Sequence, residues 1–364
     1  MNTFYMPTRI LSGEHVVREK YQMLQGMGHK ALIVTGRRSS KANGSLKDME
    51  EALGQAGIGY VIFDEVEENP SLETMERAGR LGRAEKVEFI VGIGGGSPID
   101  AAKFIGILVK NPELTGKDVF ATPNLQSFPV VAVPTTAGTG TEVTQYAIVT
   151  LAEEKTKKNY GQMIFPTLAF LDPGYMEELP LAITVNTAVD ALSHLVEGYL
   201  NRNAGVLSDA LAEAGMRIWG ECAGALLAGN LTLKEREKLM IASTLGGMLI
   251  AQTGTSLPHG MGYALTFHKG MPHGLANGIL YVEYLRSFKN REKVEKLPFL
   301  LGLKDYAALE DLLKKLTQTE VAVSEEELKE YSRGMVENRG KLANHPEEIS
   351  YEELYGIYRN SLIH

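Results

Sequence analysis

The spacing of apolar and polar positions changes near the middle of this 364-residue chain. In the first half, short β-branched runs alternate with segments of helical period. "ALIVTG" (31–36), "YVIFDEV" (60–66), "EFIVGIGGGS" (88–97) and "PVVAVPTTAGTG" (129–140) predict strands that run into turns. Helical patterns fall between them near 45–56, 70–84 and 98–109, the second with Asn69 as N-cap and Pro70 at the first helical position. This alternation predicts an α/β domain built on a parallel, doubly wound, Rossmann-like sheet. After "AFLDPGYMEELP" (169–180) strand signals fade, and the rest reads as an all-α helical bundle. Two of its helices start at capping boxes, Ser324 with Glu327 and Ser350 with Glu353. The boundary is therefore set near residue 180, with an α/β domain over 1–180, a helical domain over 181–364 and a cleft expected between them.

One helical stretch breaks its own pattern. In "TAVDALSHLVEGYL" (187–200) apolar residues run nearly all round the helix, as in a helix buried on most sides. Asp190 and His194 nevertheless lie four apart on one face, where an unpaired charge is costly. Two more histidines occupy similarly apolar, glycine-rich surroundings: His259 in "TGTSLPHGMGY" (253–263) and His273 in "GMPHGLANGI" (270–279). Taken singly, each of the four has a structural explanation as a cap, a core histidine or a loop residue. Taken together they offer three imidazole nitrogens and one carboxylate oxygen, a set suited to Fe²⁺ or Zn²⁺ and too rich in nitrogen for Mg²⁺ or Ca²⁺. His268, in the polar turn "LTFHKG", reads as solvated. Glu197 either orients the neighbouring ring or caps the last turn of the helix.

Three turns of the first half suggest a second ligand. "VGIGGGSPID" (91–100) leads a buried strand into Gly94, Gly95, Gly96 and Ser97 and then a helix, an arrangement that admits a pyrophosphate. It is not a G-x-G-x-x-G fingerprint, because Ser97 takes the last glycine position, and Lys103 is too far downstream for a Walker loop. "PTTAGTGTE" (134–142) adds hydroxyls and exposed amides after the next strand, and a dinucleotide spanning both turns is the leading reading. The third turn, "VTGRRSSKANG" (34–44), gathers Arg37, Arg38, Ser39, Ser40 and Lys41, which suit a 2′-phosphate and favour NADP over NAD.

Composition narrows the partners. Hydrophobic residues make up 44% and charged residues 23%, and the net charge of −8 excludes a broad basic surface for nucleic acid or an anionic membrane. The N-terminus has no signal-length apolar core, no run reaches the roughly 18 apolar residues of a membrane span, and the single Cys222 closes no intrachain disulfide. A cytoplasmic protein with a small-molecule partner is expected, as a homo-oligomer, a dimer.

"GIGGGSPIDAAK", "PTTAGTGTEVT", "FLDP", "DALSHLVEGYL", "PHGMGYAL" and "PHGLANGI" together resemble the iron-containing (group III) alcohol dehydrogenases, in the family's order and over most of the chain. The resemblance implies a nucleotide-binding α/β domain, a helical domain and an active site in the cleft. It implies Asp190, His194, His259 and His273 as ligands of the metal. It further implies that Gly95, Gly96, Ser97, Thr135, Thr136 and Thr139 line the cofactor and that Lys158, with Lys155 and Lys157 beside it, approaches the ribose. Many NAD-using members carry Asp where this chain has Gly36, which agrees with NADP. Many also carry a histidine at the position of Tyr263, four residues after His259, so the proton path differs here or Tyr263 serves only packing. The expected reaction is reversible hydride transfer between NADP(H) and a small alcohol or aldehyde, with the metal as Lewis acid. Three other readings compete. One is a zinc polyol dehydrogenase of the glycerol type. Another is a dehydroquinate-synthase-like lyase, which needs a basic pocket where this chain offers only Lys269. The third is a non-catalytic nucleotide-binding regulator.

Overall fold

The computed structural model describes residues 3–153 and 156–363. By its internal contacts the chain divides into two compact units. One comprises Met6–Thr136 and Gly140–Leu179, and the other Pro180–His364 together with Ala137–Thr139 and the N-terminal residues through Tyr5.

The first unit is built on a six-stranded parallel sheet of β1 (Arg9–Ser12), β2 (Lys30–Thr35), β3 (Gly59–Phe63), β4 (Phe89–Gly94), β5 (Val130–Pro134) and β8 (Leu168–Leu171), in the order β1-β8-β5-β4-β2-β3. Because side chains alternate across a strand, neighbouring residues of β2 and β4 enter opposite cores. Leu32, Val34 and Ile90 join the cluster formed with the helices Leu72–Ala84 and Gly96–Lys110. Ala31, Ile33, Phe89, Val91 and Ile93 join the other, under the helix Ser45–Gln55. Every residue of β4 and β5 is buried, which explains why their sequences are continuous apolar runs. Full burial of each Val, Leu or Ile here is worth roughly 1.5–3 kcal/mol. β2 pairs with both β3 and β4, so the winding direction reverses between β2 and β4. In such sheets the crevice beyond the carboxyl ends at the reversal is the favoured ligand position.

Two local expectations are corrected. The second helix begins at Leu72, capped by Ser71, whose hydroxyl accepts from the Thr74 N–H, while Asn69 adopts a left-handed φ of 56° outside it. The helix after β4 begins at Gly96 rather than Pro98, since Gly96 and Ser97 already take helical geometry behind an extended Gly95 at the N-cap. An antiparallel hairpin, β6 (Ile148–Leu151) with β7 (Thr156–Asn159), is an addition that the apolar pattern did not predict.

The second unit is helical, and its central element is the helix Leu181–Tyr199, buried without interruption from Ala188 onwards. The helix Leu233–Thr253 lies against it at close range, because neither Gly198 nor Gly246 carries a side chain. A Cβ at Gly198 would fall 2.4 Å from Leu249 Cγ, and one at Gly246 would fall 3.2 Å from His194 Cβ. The Trp219 indole N–H donates to the Ala188 carbonyl at 2.8 Å, closing a third side with the helix Val206–Gly220. The two capping boxes at Ser324 and Ser350 form as expected. Among the described residues no helix is long and apolar enough to cross a membrane.

Candidate metal centre and dinucleotide loops

Asp190 and His194 project from the same face of the buried helix. His259 stands in the first turn of the helix Leu257–Lys269, and His273 opens the helix His273–Gly278. Donor atoms of Asp190, His259 and His273 all lie within 4.8 Å of one another. His194 joins through His259, with the two Nε2 atoms 3.0 Å apart and the rings stacked at 4.7 Å. Asp190 Oδ1 is 3.5 Å from His259 Nε2 and 3.8 Å from His273 Nε2. The Asn277 amide donates to Asp190 Oδ1 at 3.4 Å and reaches His273 Nε2 at 3.3 Å.

The outward-facing atoms of the rings settle what the inward ones do. His259 Nδ1 is 2.6 Å from Glu197 Oε1, and His194 Nδ1 is 3.1 Å from the Gly138 carbonyl. A carboxylate and a carbonyl only accept, so each Nδ1 carries a hydrogen and donates it. In the neutral rings both Nε2 atoms then hold lone pairs directed at each other beside a carboxylate. Such a meeting needs a cation, either a proton on one Nε2 or a metal ion, and the donor atoms of Asp190, His259 and His273, with His194 beside them, suit a borderline divalent metal.

Electrostatics agree with that donor set. Burial alone would push the His259 imidazole down, but the carboxylates of Glu197 and Asp190 raise it to about 9. Burial brings His194 down to about 4 despite Asp190. Burial opposes the charge on Asp190, yet His194 and His273 hold its carboxyl well below the ordinary range. The cluster thus attracts one positive charge and keeps its carboxylate ionised. Only His273 has substantial side-chain exposure, 35% against 6% for Asp190 and 4% for His259, so the centre is open on that side. The Tyr263 ring stacks on His273 at 5.7 Å.

Asn277 and Tyr281 were not singled out from the sequence. They continue a polar ladder at four-residue spacing from His273 through an otherwise apolar segment, a pattern that could have found them. The Gly138 carbonyl and the Ser256 N–H also serve the site, but as backbone groups they leave no trace in residue identity.

In the first unit the turn after β4 is shaped by glycine. Gly94 has φ 146°, and a Cβ on it would fall 2.8 Å from Pro98 Cγ. Gly95 lies against Thr136, whose hydroxyl would be 3.3 Å from a Cβ there, so the two predicted turns adjoin. The Thr135 N–H donates to the Gly94 carbonyl at 2.8 Å. The helix Gly96–Lys110 begins with no side-chain cap and no acidic residue in its first turn, leaving its N–H groups and positive dipole end for an anion. The Ser97 hydroxyl accepts from the Asn69 N–H at 3.1 Å. Beneath them Lys103 is fully buried and donates to Thr141 Oγ1 at 2.6 Å and the Tyr146 carbonyl at 2.7 Å, with Asp100 at 3.7 Å. It fastens the threonine-rich loop to the helix, and burial lowers its ammonium to about 8 against the pull of Asp100.

The basic turn after β2 divides. Ser40 is fully buried and receives the Thr35 hydroxyl at 2.7 Å, so the expectation that it meets a cofactor is corrected: it is a core hydroxyl. Lys41 is bound to Asp64. Arg37, Arg38 and Ser39 are exposed. Among the described residues the Arg38 side chain makes no hydrogen bond or ion pair, and Arg37 acts on Asp64 only through its charge. Gly36 is partly buried. Lys158 was expected near the ribose, but its ammonium lies 5.5 Å from the Phe120 ring centroid. Lys157, on the other face of the strand, reaches Asn69 Oδ1 at 2.8 Å, beside Ser97. Lys155 lies outside the described residues.

With this geometry in hand, comparisons with known proteins are specific. The iron-containing alcohol dehydrogenase sequence model matches residues 7–173, and that of the Fe-containing alcohol dehydrogenase family, C-terminal, matches 184–362. The chain is 33% identical over 299 residues to lactaldehyde reductase of Escherichia coli (strain K12), covering 80% of this chain and 75% of that one. It is 35% identical over 296 residues to 1,3-propanediol dehydrogenase of Klebsiella pneumoniae, covering 79% and 75%. The crystal structure of an iron-containing alcohol dehydrogenase from Thermotoga maritima superimposes with a TM-score of 0.92 at 40% identity, covering 100% of this chain and 99% of that one.

Proposed function

Because this chain belongs to the iron-containing alcohol dehydrogenase family, a family of oxidoreductases, we propose that it transfers hydride reversibly between NADP(H) and a small alcohol or its aldehyde. Asp190, His194, His259 and His273 hold Fe²⁺, with Zn²⁺ the competing ion. The observation that carries the metal reading is the pair of Nε2 atoms facing each other at 3.0 Å beside the Asp190 carboxylate. When bound, the ion supplies Lewis-acid stabilisation of negative charge on the substrate oxygen. The chain's own residues hold the ligands still. Gly138 and Glu197 fix two rings through Nδ1, Asn277 holds the Asp190 carboxylate, and the exposed His273 edge leaves the side from which a small substrate approaches.

In this reading residues 1–180 form the dinucleotide domain and 181–364 the metal domain. Gly94, Gly95, Gly96 and Ser97 receive the pyrophosphate at the helix N-terminus, and Thr135, Thr136 and Thr139 supply hydroxyls and amides. Arg37, Arg38 and Ser39, with Gly36 in place of an acid, favour the 2′-phosphate of NADP. Of the described hairpin lysines, Lys157 and Lys158, we assign Lys157 to the cofactor side, since it is the one tied to Asn69 beside Ser97.

Anaerobically purified protein, analysed for metal and assayed with NADPH, NADH and a panel of short aldehydes, tests the proposal. The expected result is about one Fe²⁺ per chain and a higher kcat/KM for NADPH. His259→Ala should abolish turnover while keeping dinucleotide binding. Full turnover in that variant overturns the metal assignment, and a clear NADH preference overturns the reading of the basic turn.

A further inference from the structure

Glu197 follows His194 by three residues and Asp190 by seven, so all three share one face of the Leu181–Tyr199 helix. Its carboxylate is completely buried, which is tolerable only with full hydrogen bonding. Three donors surround it. The Ser256 N–H donates to Oε2 at 2.6 Å, His259 Nδ1–H to Oε1 at 2.6 Å, and the Tyr281 hydroxyl to Oε1 at 2.8 Å. Tyr281 also lies 2.9 Å from the Ser193 carbonyl, so its single hydrogen chooses between two acceptors, whereas the His259 Nδ1–H and the Ser256 N–H each meet only this carboxylate.

We propose that Glu197 is a positioning residue that locks His259 in the Nδ1–H tautomer and so aims its Nε2 lone pair at the metal, in the site assigned under Proposed function. An ionised carboxylate accepts only, so His259 must donate from Nδ1. In the opposite tautomer a lone pair would face the Glu197 carboxylate, and the hydrogen on Nε2 would leave that atom no lone pair for a metal. The contact with the Ser256 N–H ties the same carboxylate to the start of the helix that carries His259, so ring rotation and helix position are fixed together. Carboxylates in this outer position raise ligand basicity, and removing them lowers metal affinity by about 10- to 100-fold.

Glu197→Gln tests this with little change of shape. If the amide oxygen faces His259, its NH₂ meets the Ser256 N–H, donor against donor. If the amide is reversed, NH₂ faces Nδ1 and drives the hydrogen onto Nε2. Metal-stripped wild type and E197Q are titrated with Co²⁺ against a chelator, recording affinity and the Co²⁺ absorption spectrum, and the melting temperature of each metal-free protein is measured alongside. The expected result is stoichiometric binding by wild type and an affinity about 10- to 100-fold lower in E197Q, with an altered spectrum. A purely structural role would lower the metal-free melting temperature and leave affinity and spectrum unmoved, which overturns the proposal. Failure of wild type itself to bind Co²⁺ overturns the metal reading instead, so the two failures are separable. Should E197Q not fold, ¹⁵N-histidine spectra of Zn²⁺-loaded wild type decide. Metal on Nε2 with hydrogen on Nδ1 of His259 supports the proposal, and metal on Nδ1 refutes it.

Discussion

Replacing Gly274 by alanine should damage the metal centre without touching a ligand. The added Cβ would stand 1.9 Å from the Asn186 carbonyl oxygen and 3.0 Å from both the Asn186 carbonyl carbon and Asp190 Cβ. Non-bonded carbon contacts sit near 3.5–4.0 Å, so the helix beginning at His273 must retreat by about 1 Å or more, because backbone on the other side cannot swing away. Metal–ligand distances tolerate about 0.2 Å, and His273 is the adjacent residue. Overpacking of this kind costs about 1–3 kcal/mol, and 2 kcal/mol corresponds to roughly 4–8 °C in the melting temperature of a unit this size. Gly224→Ala is the control: nothing lies within 4 Å of its Cβ, and alanine is the better helix former. The assay pairs thermal melting of the metal-free proteins with Co²⁺ affinity. A G274A protein that melts and binds metal like wild type would refute the idea that this close approach sets the ligand spacing.

Three further outcomes follow from other sites. Gly36→Asp is expected to shift preference from NADPH towards NADH in kcat/KM, since a carboxylate favours a free ribose 2′-hydroxyl and repels a 2′-phosphate; its Cβ meets only Val66 O at 3.4 Å, so the fold should accept it. Lys157→Met should raise KM for the dinucleotide several-fold while Lys158→Met leaves it nearly unchanged, and the reverse order would restore Lys158 as the cofactor lysine. His345, packed between Tyr284 and Phe288 with burial lowering its imidazole to about 4, stays neutral in the fold below the pH at which the unfolded chain takes up a proton. Folding stability should therefore fall between about pH 6.5 and 4, by at most ~3 kcal/mol from this group, and be unaffected above that window. Denaturant titrations across pH 4–8 should show the loss in wild type and less of it in His345→Phe.

The central strands were legible because both faces of the sheet are buried, which leaves β4 and β5 as unbroken apolar runs. The hairpin was not, since "TKKN" is polar and forms only four pairs. Without it, the alternation that separates Lys157 from Lys158 was invisible. Asp190, His194, His259 and His273 stood out as polar residues in apolar company. Asn69 misled as a cap because two chemistries suit it. Ser71 holds the helix, while Asn69 turns back to Ser97. Ser40 was misread for a related reason: a serine in a basic turn looks like a ligand for phosphate until its burial against Thr35 is known.

Surface loops ordinarily absorb inserted or deleted residues at little cost. The stretch from Thr135 to Thr139 cannot. At its start the Thr135 N–H is fixed to Gly94 and Thr136 adjoins Gly95, and two residues later the Gly138 carbonyl holds the His194 ring, with no room for a side chain against Thr187. Within the helical unit, a residue added beside Gly138 would put a side chain where Thr187 leaves no room or carry the carbonyl away from His194. In evolutionary terms this loop should drift in composition where hydroxyls and small residues interchange, but its length should be as constrained as that of a core strand.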